Sequence, residues 1–345
     1  EKSMATLNVF SQNAFEATSL TAYVNKQPHI PSMLRNMGIF TPKPVRTSTI
    51  WVEVKNGQVS LVPTSERGEP IDQNGKTKRD AIPLSTVRLA KGDRITATEL
   101  QDVRAEGTEA ELKEVQVEIN ERLNAIMGDI DLTEENLMLG AIQGIVVDAD
   151  GSTVIRNLYT DFGVTQPTEI DFDLDNATPA SGALKKKCMQ VVRGMKRAGG
   201  NAITPSTQIY SLVGDAFWDD LISHPEVQGA YNNWMAAQSL SNEVGVYKPF
   251  YWGEINWINY RGTDDSSTVA IGTDKAKFFP VGARGMFEIA YAPAEFMPFV
   301  NGRGQERYAM ILPDRDRQAY ADVEVYSYLL PYCTRPEALF RAKRT

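Results

Sequence analysis

Leu112, Val115, Ile119, Leu123, Ile126 and Ile130 recur at steps of three and four, the spacing that lays side chains along one stripe of an α-helix. Thr108, with Glu111 three residues on, forms a capping box at the start. Thr133-Glu134-Glu135 restarts the pattern, and Leu137, Leu139 and Ile142 continue it. A helix of about 35 residues, even bent near Gly128, spans roughly 50 Å at about 1.5 Å per residue. Most globular helices are far shorter. The stretch reads as a structural spine, with Leu112, Val115, Ile119, Leu123 and Ile126 as its buried core face. Glu114, Glu118, Glu121 and Arg122 are expected to face away.

The segments before the spine have little to fold against. Residues 1–45 offer only short helical pieces, around 19–25 and 32–37, broken by Pro28, Pro31, Pro42 and Pro44. Such a stretch cannot bury its own apolar residues and reads as an arm that packs on something else. From Ser48 the pattern alternates: Ile50, Val52 and Val54 share one face, and Val59 and Leu61 resume after Asn56-Gly57, a hairpin signal. A polar stretch from Pro63 to Ile82 follows, then alternation returns over 84–89. A two-stranded ribbon with a charged tip results, and a ribbon alone is barely stable in water.

Beyond the spine, Asp150-Gly151 joins two short strands as a turn. Residues 182–198 form an amphipathic helix with Leu184, Cys188, Val191, Val192 and Met195 inward, ended by Gly199-Gly200. A strand at 208–213, a helix from Asp215, a single strand over 251–260 and strands at 269–271 and 286–290 make 200–305 an α+β domain. Tyr320, Val323, Val325 and Tyr326 lie in a long strand expected to return to the sheet of 144–172.

The residues offer little catalytic chemistry. Two histidines, His29 and His224, each sit beside proline with no Cys or His at ligand spacing, so no metal site is expected and both read as structural. Asp148-Ala149-Asp150-Gly151-Ser152 resembles a calcium loop but has Tyr159 where the twelfth-position glutamate belongs. No phosphate loop and no Gly-x-Ser-x-Gly elbow is present, and Asp219-Asp220 and Asp264-Asp265 read as solvated surface. No cofactor is implied, and an enzyme is not expected. Cys188 and Cys333 are too few and too far apart for a disulfide framework and read as buried thiols. The net charge of −8 disfavours a nucleic-acid clamp, and Lys185-Lys186-Lys187 with Arg193, Lys196 and Arg197 reads as one solvated helix face. No apolar run is long enough to span a bilayer, so no membrane partner is expected, and no secretory signal opens the chain.

Several segments carry a likeness in their order and spacing. They are Asn157-Leu158-Tyr159-Thr160-Asp161-Phe162-Gly163, Asp215-Ala216-Phe217-Trp218-Asp219-Asp220-Leu221 running into His224-Pro225-Glu226-Val227, Pro280-Val281-Gly282, Tyr291-Ala292-Pro293-Ala294-Glu295 and Val300-Asn301-Gly302. Across the whole chain they resemble the lambda-like capsid E family of tailed-phage major capsid proteins, which share the α+β HK97-type capsid fold. The resemblance implies an N-arm over 1–45 and an extended E-loop ribbon over 46–104. It implies a P-domain over 105–199, containing the spine helix (105–145), with a return over 306–345, and an A-domain over 200–305. It implies self-assembly into pentamers and hexamers of an icosahedral head around packaged double-stranded DNA, held non-specifically. Scaffold, portal and decoration proteins are the implied partners, the host cytoplasm the site of assembly and the virion the destination. Inter-subunit contacts are expected at the ribbon tip, through Glu66, Arg67, Glu69, Lys76, Lys78 and Arg79. The alternative within the same fold is an encapsulin-like cellular shell enclosing a cargo enzyme.

Overall fold

The computed structural model describes residues 33–55, 79–97, 99, 108–176, 178–241, 248–260, 270–317 and 319–345. In chain order, a short helix α1 (Met33–Asn36) precedes strands β1 (Thr41–Pro44), β2 (Thr49–Lys55), β3 (Arg79–Ser85) and β4 (Val87–Thr96). The long helix α2 (Thr108–Gln143) leads to β5 (Ile145–Val147), β6 (Val154–Asn157), α3 (Leu158–Asp161) and β7 (Ile170–Asp171). Then come α4 (Ala183–Gly199), β8 (Gln208–Val213), α5 (Asp215–Ser223), α6 (Pro225–Ser241), β9 (Phe250–Trp252) and β10 (Ile255–Asn259). The chain ends with β11 (Lys275–Val281), β12 (Phe287–Tyr291), β13 (Tyr308–Pro313), β14 (Tyr320–Cys333) and β15 (Phe340–Lys343).

Two compact units divide these elements: one from 1–50, 85–137 and 289–331, the other from 51–84, 138–288 and 332–345. The first is built on the five-stranded sheet β1-β12-β14-β13, with β4 on the other side of β14. Its alternation follows the pleat. Ala321, Val323 and Val325 of β14, with Ala309 of β13 and Ile95 of β4, pack on Ile119, Leu123, Ile126 and Ile130 of α2. The opposite face carries Tyr326 and Tyr328 with Tyr308 and Met310, covered by Ala292, Ala294 and Phe299. The helix runs without a break through Gly128 and Thr133, whose hydroxyl donates to the Asp129 carbonyl 2.9 Å away.

The second unit holds the mixed six-stranded sheet β7-β15-β11-β8-β10-β9. Its core face is rich in rings: Phe172 and Trp257 each lie 5.6 to 6.1 Å, centroid to centroid, from each other and from Phe217 and Phe278, packed with Leu184, Cys188, Val191, Val192 and Met195 of α4. Gly194 of α4 lets the Phe340 ring pack close there, since a Cβ would stand 2.5 Å from it and force the ring to shift.

Several elements differ from the sequence reading. The long strand over 320–333 does not join the sheet of 144–172; it pairs antiparallel with β4 and β13, and only β15 returns, parallel to β7. The six-stranded sheet therefore extends beyond 200–305 to strands at 170–171 and 340–343. Residues 251–260 form a hairpin and not one strand, since Gly253 (φ 65°) and Glu254 (φ 63°) turn the chain between Trp252 and Ile255. The prolines at 42 and 44 do not break the arm; they lie in β1, at one end of the first sheet. The Val45 N–H donates to the Tyr291 carbonyl, so alternate residues face β12 and positions 42 and 44 point outward, where a missing N–H costs nothing. Strand β11 went unread, and Ala270 and Ile271 are not in a strand. The 145–157 hairpin matches its reading, with Asp150-Gly151 at the turn.

Candidate assembly site

β2 and β3 form a two-stranded sheet whose base is closed by the Thr86 N–H and hydroxyl, both donating to the Ser48 carbonyl at 3.0 and 3.1 Å. Ile50, Val52 and Leu84 are buried, whereas Trp51 stays 63% exposed. The tip residues Glu66, Arg67, Glu69, Lys76 and Lys78 lie outside the described residues, as do the side chains of Arg79, Leu112 and Val115. Of the candidate residues whose side chains are described, Ile119, Leu123 and Ile126 are brought into one buried layer.

Arg122 does not face away from the core side of α2 as a free charge. It bridges Glu118 at 2.8 Å, Asp93 at 3.0 Å and Glu99 at 3.2 Å, and donates to the Arg94 carbonyl. The stretch from Asp93 to Glu99 is thereby fixed to the helix. Lys91 pairs with Asp129, and Arg94 reaches Asp322 at 2.7 Å across the strands. These exposed pairs contribute about 0–1 kcal/mol each and serve mainly to set register.

A deeper charge cluster escaped the sequence reading. Arg307, only 2% exposed, donates to Asp131 and Glu134 of α2 and to the Ser327 hydroxyl. Arg35 reaches the same Glu134 at 3.0 Å and Glu306 at 2.6 Å. The Tyr291 hydroxyl donates to Glu134 at 3.0 Å, and the Leu34 N–H donates to Glu135 at 3.0 Å. Burial alone would pull both guanidinium groups down, but the facing carboxylates, Glu134 foremost, outweigh it and hold both above their usual range. Burial, then Glu134 and Glu306, pushes the Tyr291 phenol up. Asp131, Glu134 and Glu135 sit in a run that restarts the apolar stripe, where charge reads as solvent-facing. The signal available was their position: Asp131 follows Ile130 directly, and Glu134 lies four residues beyond it, at the edge of the buried face. Arg307, which Asp131 and Glu134 share, lies 176 and 173 residues away from them in sequence. The arrangement ties the segment at 34–35 and the strand entry at 306–307 to one turn of the helix.

Other sequence candidates have structural roles. His224 caps the end of α5, its Nδ1 accepting from the Glu226 N–H at 3.2 Å; burial holds its imidazole below the usual value. Cys188 and Cys333 are buried free thiols, and burial pushes Cys188 up to about 12. The Thr153 hydroxyl, then the Thr153 and Ser152 N–H groups, donate to Asp150 and hold its carboxyl far below the usual range; this is a turn. Asp220 accepts from Arg344 at 2.8 Å, and Asp264 and Asp265 lie outside the described residues. Lys185, Lys186, Arg193, Lys196 and Arg197 are exposed along α4. Among the described residues, no group of three or more His, Cys, Asp or Glu could hold a metal ion.

The chain is 29% identical over 357 residues to the major capsid protein of Salmonella phage Felix O1, covering 95% of this chain and 96% of that one. Its backbone is similar to the crystal structure of a capsid protein assigned to a prophage of Escherichia coli CFT073, at 14% identity with a TM-score of 0.55, covering 95% and 99% of the two chains. It is also similar to the capsid of an empty GTA particle, at 11% identity with a TM-score of 0.50, covering 97% and 99%. These likenesses give the fold, the α+β HK97 type. Residues 16–344 match the family model described as phage major capsid protein E, so the chain belongs to that family: a structural shell protein of phage heads, not an enzyme, that associates with copies of itself in the virion.

Proposed function

We propose that this shell protein forms pentamers and hexamers of an icosahedral head around packaged double-stranded DNA, built in the host cytoplasm with scaffold and portal proteins and strengthened by decoration proteins. Residues 1–45 act as the N-arm and 46–104 as the E-loop. The P-domain comprises 105–199 with the spine helix, completed by the return over 306–345, and 200–305 form the A-domain around the symmetry axes. The observation that supports this reading is the β2–β3 sheet, which has only two strands among the described residues and leaves Trp51 exposed on it. A ribbon of two strands is marginal by itself and gains stability from an adjoining surface. A second copy of the chain supplies that surface, with Glu66, Arg67, Glu69, Lys76, Lys78 and Arg79 pairing at the tip to fix register.

Replacing Lys76, Lys78 and Arg79 together by glutamate tests the assignment. The variant should keep the circular dichroism and unfolding midpoint of the unassembled chain but give no closed shells by electron microscopy. Normal shells from the triple variant would remove the tip from the interface. Shells that package a host protein in place of DNA would overturn the phage-head reading in favour of an encapsulin-like container.

A further inference from the structure

The second unit carries an uncompensated pair of cations on one sheet face. Ala276 and Phe278 of β11 point into the aromatic core, so Lys277 faces the other way. Directly opposite Lys277 in the antiparallel ladder is Arg341 of β15, and on the other side lies the buried Leu212 of β8. Side chains paired in this way have Cβ atoms about 4.5–5.5 Å apart, and like charges so placed destabilise a sheet. Both residues are half-buried, so water screens them poorly.

Among the described residues, neither forms an ion pair with a carboxylate. Glu169 is the carboxylate that acts on Lys277, but it accepts from Lys275 at 3.2 Å. The Arg341 Nε is buried and has no hydrogen-bond partner. Burial, then the facing Arg341, pushes the Lys277 amine below its usual value. One group relieves all three defects: an oxyanion that takes two parallel N–H donors from the planar fork and one from the ammonium.

We propose that Lys277 and Arg341 form a binding site for a small oxyanion of the carboxylate or phosphate class, either a free ion or a carboxylate of an adjoining copy of the chain. The site stands apart from the ribbon tip and does not depend on the role given to that tip. Inorganic phosphate is the probe. At matched ionic strength, phosphate in place of chloride should raise the unfolding midpoint of the full-length unassembled chain by on the order of 2–4 °C. Lys277→Met should unfold at a higher temperature than the parent in chloride, because the repulsion is gone, and should not respond to phosphate. Arg341→Gln should also lose the response, while Lys186→Gln, on the exposed face of α4, should keep it. Equal rises in all four proteins would mean an adventitious ion only and would overturn the site, as would no rise in the parent. The same measurement on assembled shells separates the two sources: a response that persists assigns the site to a free anion, and one that disappears assigns it to the neighbour's carboxylate.

Discussion

The two units bury different things. The first closes α2 over its sheet with an aliphatic layer and then places Arg307, Asp131, Glu134 and Glu135 in the interior beside it. The second fills its interior with rings, Phe172, Phe217, Trp257 and Phe278, and its polar groups lie mostly at the rim. Rings contribute transfer energy in proportion to area and tolerate several packings. Buried ions contribute little net energy but have one geometry in which they are satisfied. The contrast separates a unit stabilised by mass of apolar surface from one whose chain path is fixed by charge.

Removing the largest ring should have the largest effect. Trp257→Ala should cost about 3–5 kcal/mol, through lost burial and a cavity. Hydrogen exchange should then rise in β8, β10 and β11 while β13 and β14 stay protected. Equal loss of protection in both sets would mean that the units unfold as one, and the contrast would have no energetic meaning.

Arg307→Met should cost about 3–5 kcal/mol, because Asp131 and Glu134 stay buried with less counter-charge. Changing Arg307, Asp131 and Glu134 together to Met, Leu and Leu should return stability to within about 1 kcal/mol of the parent, with Arg35 left on Glu306. Urea unfolding of both variants decides this. A triple variant as unstable as the single one would show that the ions themselves stabilise the unit.

Leu123→Ala removes part of the aliphatic layer and should cost about 2–5 kcal/mol, depending on how far Ile119, Ile126 and Val323 close the gap. A thermal midpoint that did not move would remove this stripe from the core.

The smallest effect is that of pH. The folded-state value of His224 lies below that of the unfolded chain, about 6.5. Its neutral form therefore contributes fully above that value, and the contribution is lost as pH falls through the lower, folded value. Unfolding midpoints between about pH 7 and 5 should decline, and His224→Gln should flatten the decline. Arg307 and Arg35 keep their charge across this range, so β13 and β14 should show less of it in hydrogen exchange. An unchanged slope in the glutamine variant would assign the decline to other groups.

The elements most legible in the sequence were those with a long period and a local cause. Ile119, Leu123, Ile126 and Ile130 announced the helix face, and Leu184 through Met195 announced α4, because a helix writes its environment every three or four residues. Strand β11 was not legible: Lys-Ala-Lys followed by Phe-Phe-Pro-Val has no steady alternation, and its lysines are half-buried where charge reads as solvated. Glu254 in a turn was hidden because left-handed backbone is ordinarily a glycine or asparagine signal. The cluster around Arg307 was hidden for a further reason. A charge is read as solvated unless its partner is known, and that partner lies 176 residues from Asp131 in sequence.

The outward prolines of β1 have a consequence for a protein made to associate. A sheet edge with free N–H groups is an invitation to any passing strand, and a shell protein accumulates to concentrations at which such invitations are accepted. Positions 42 and 44 have no proton to offer on that side. Copies of the chain can therefore crowd together without growing into a fibre by that route, and association is left to surfaces whose geometry can close.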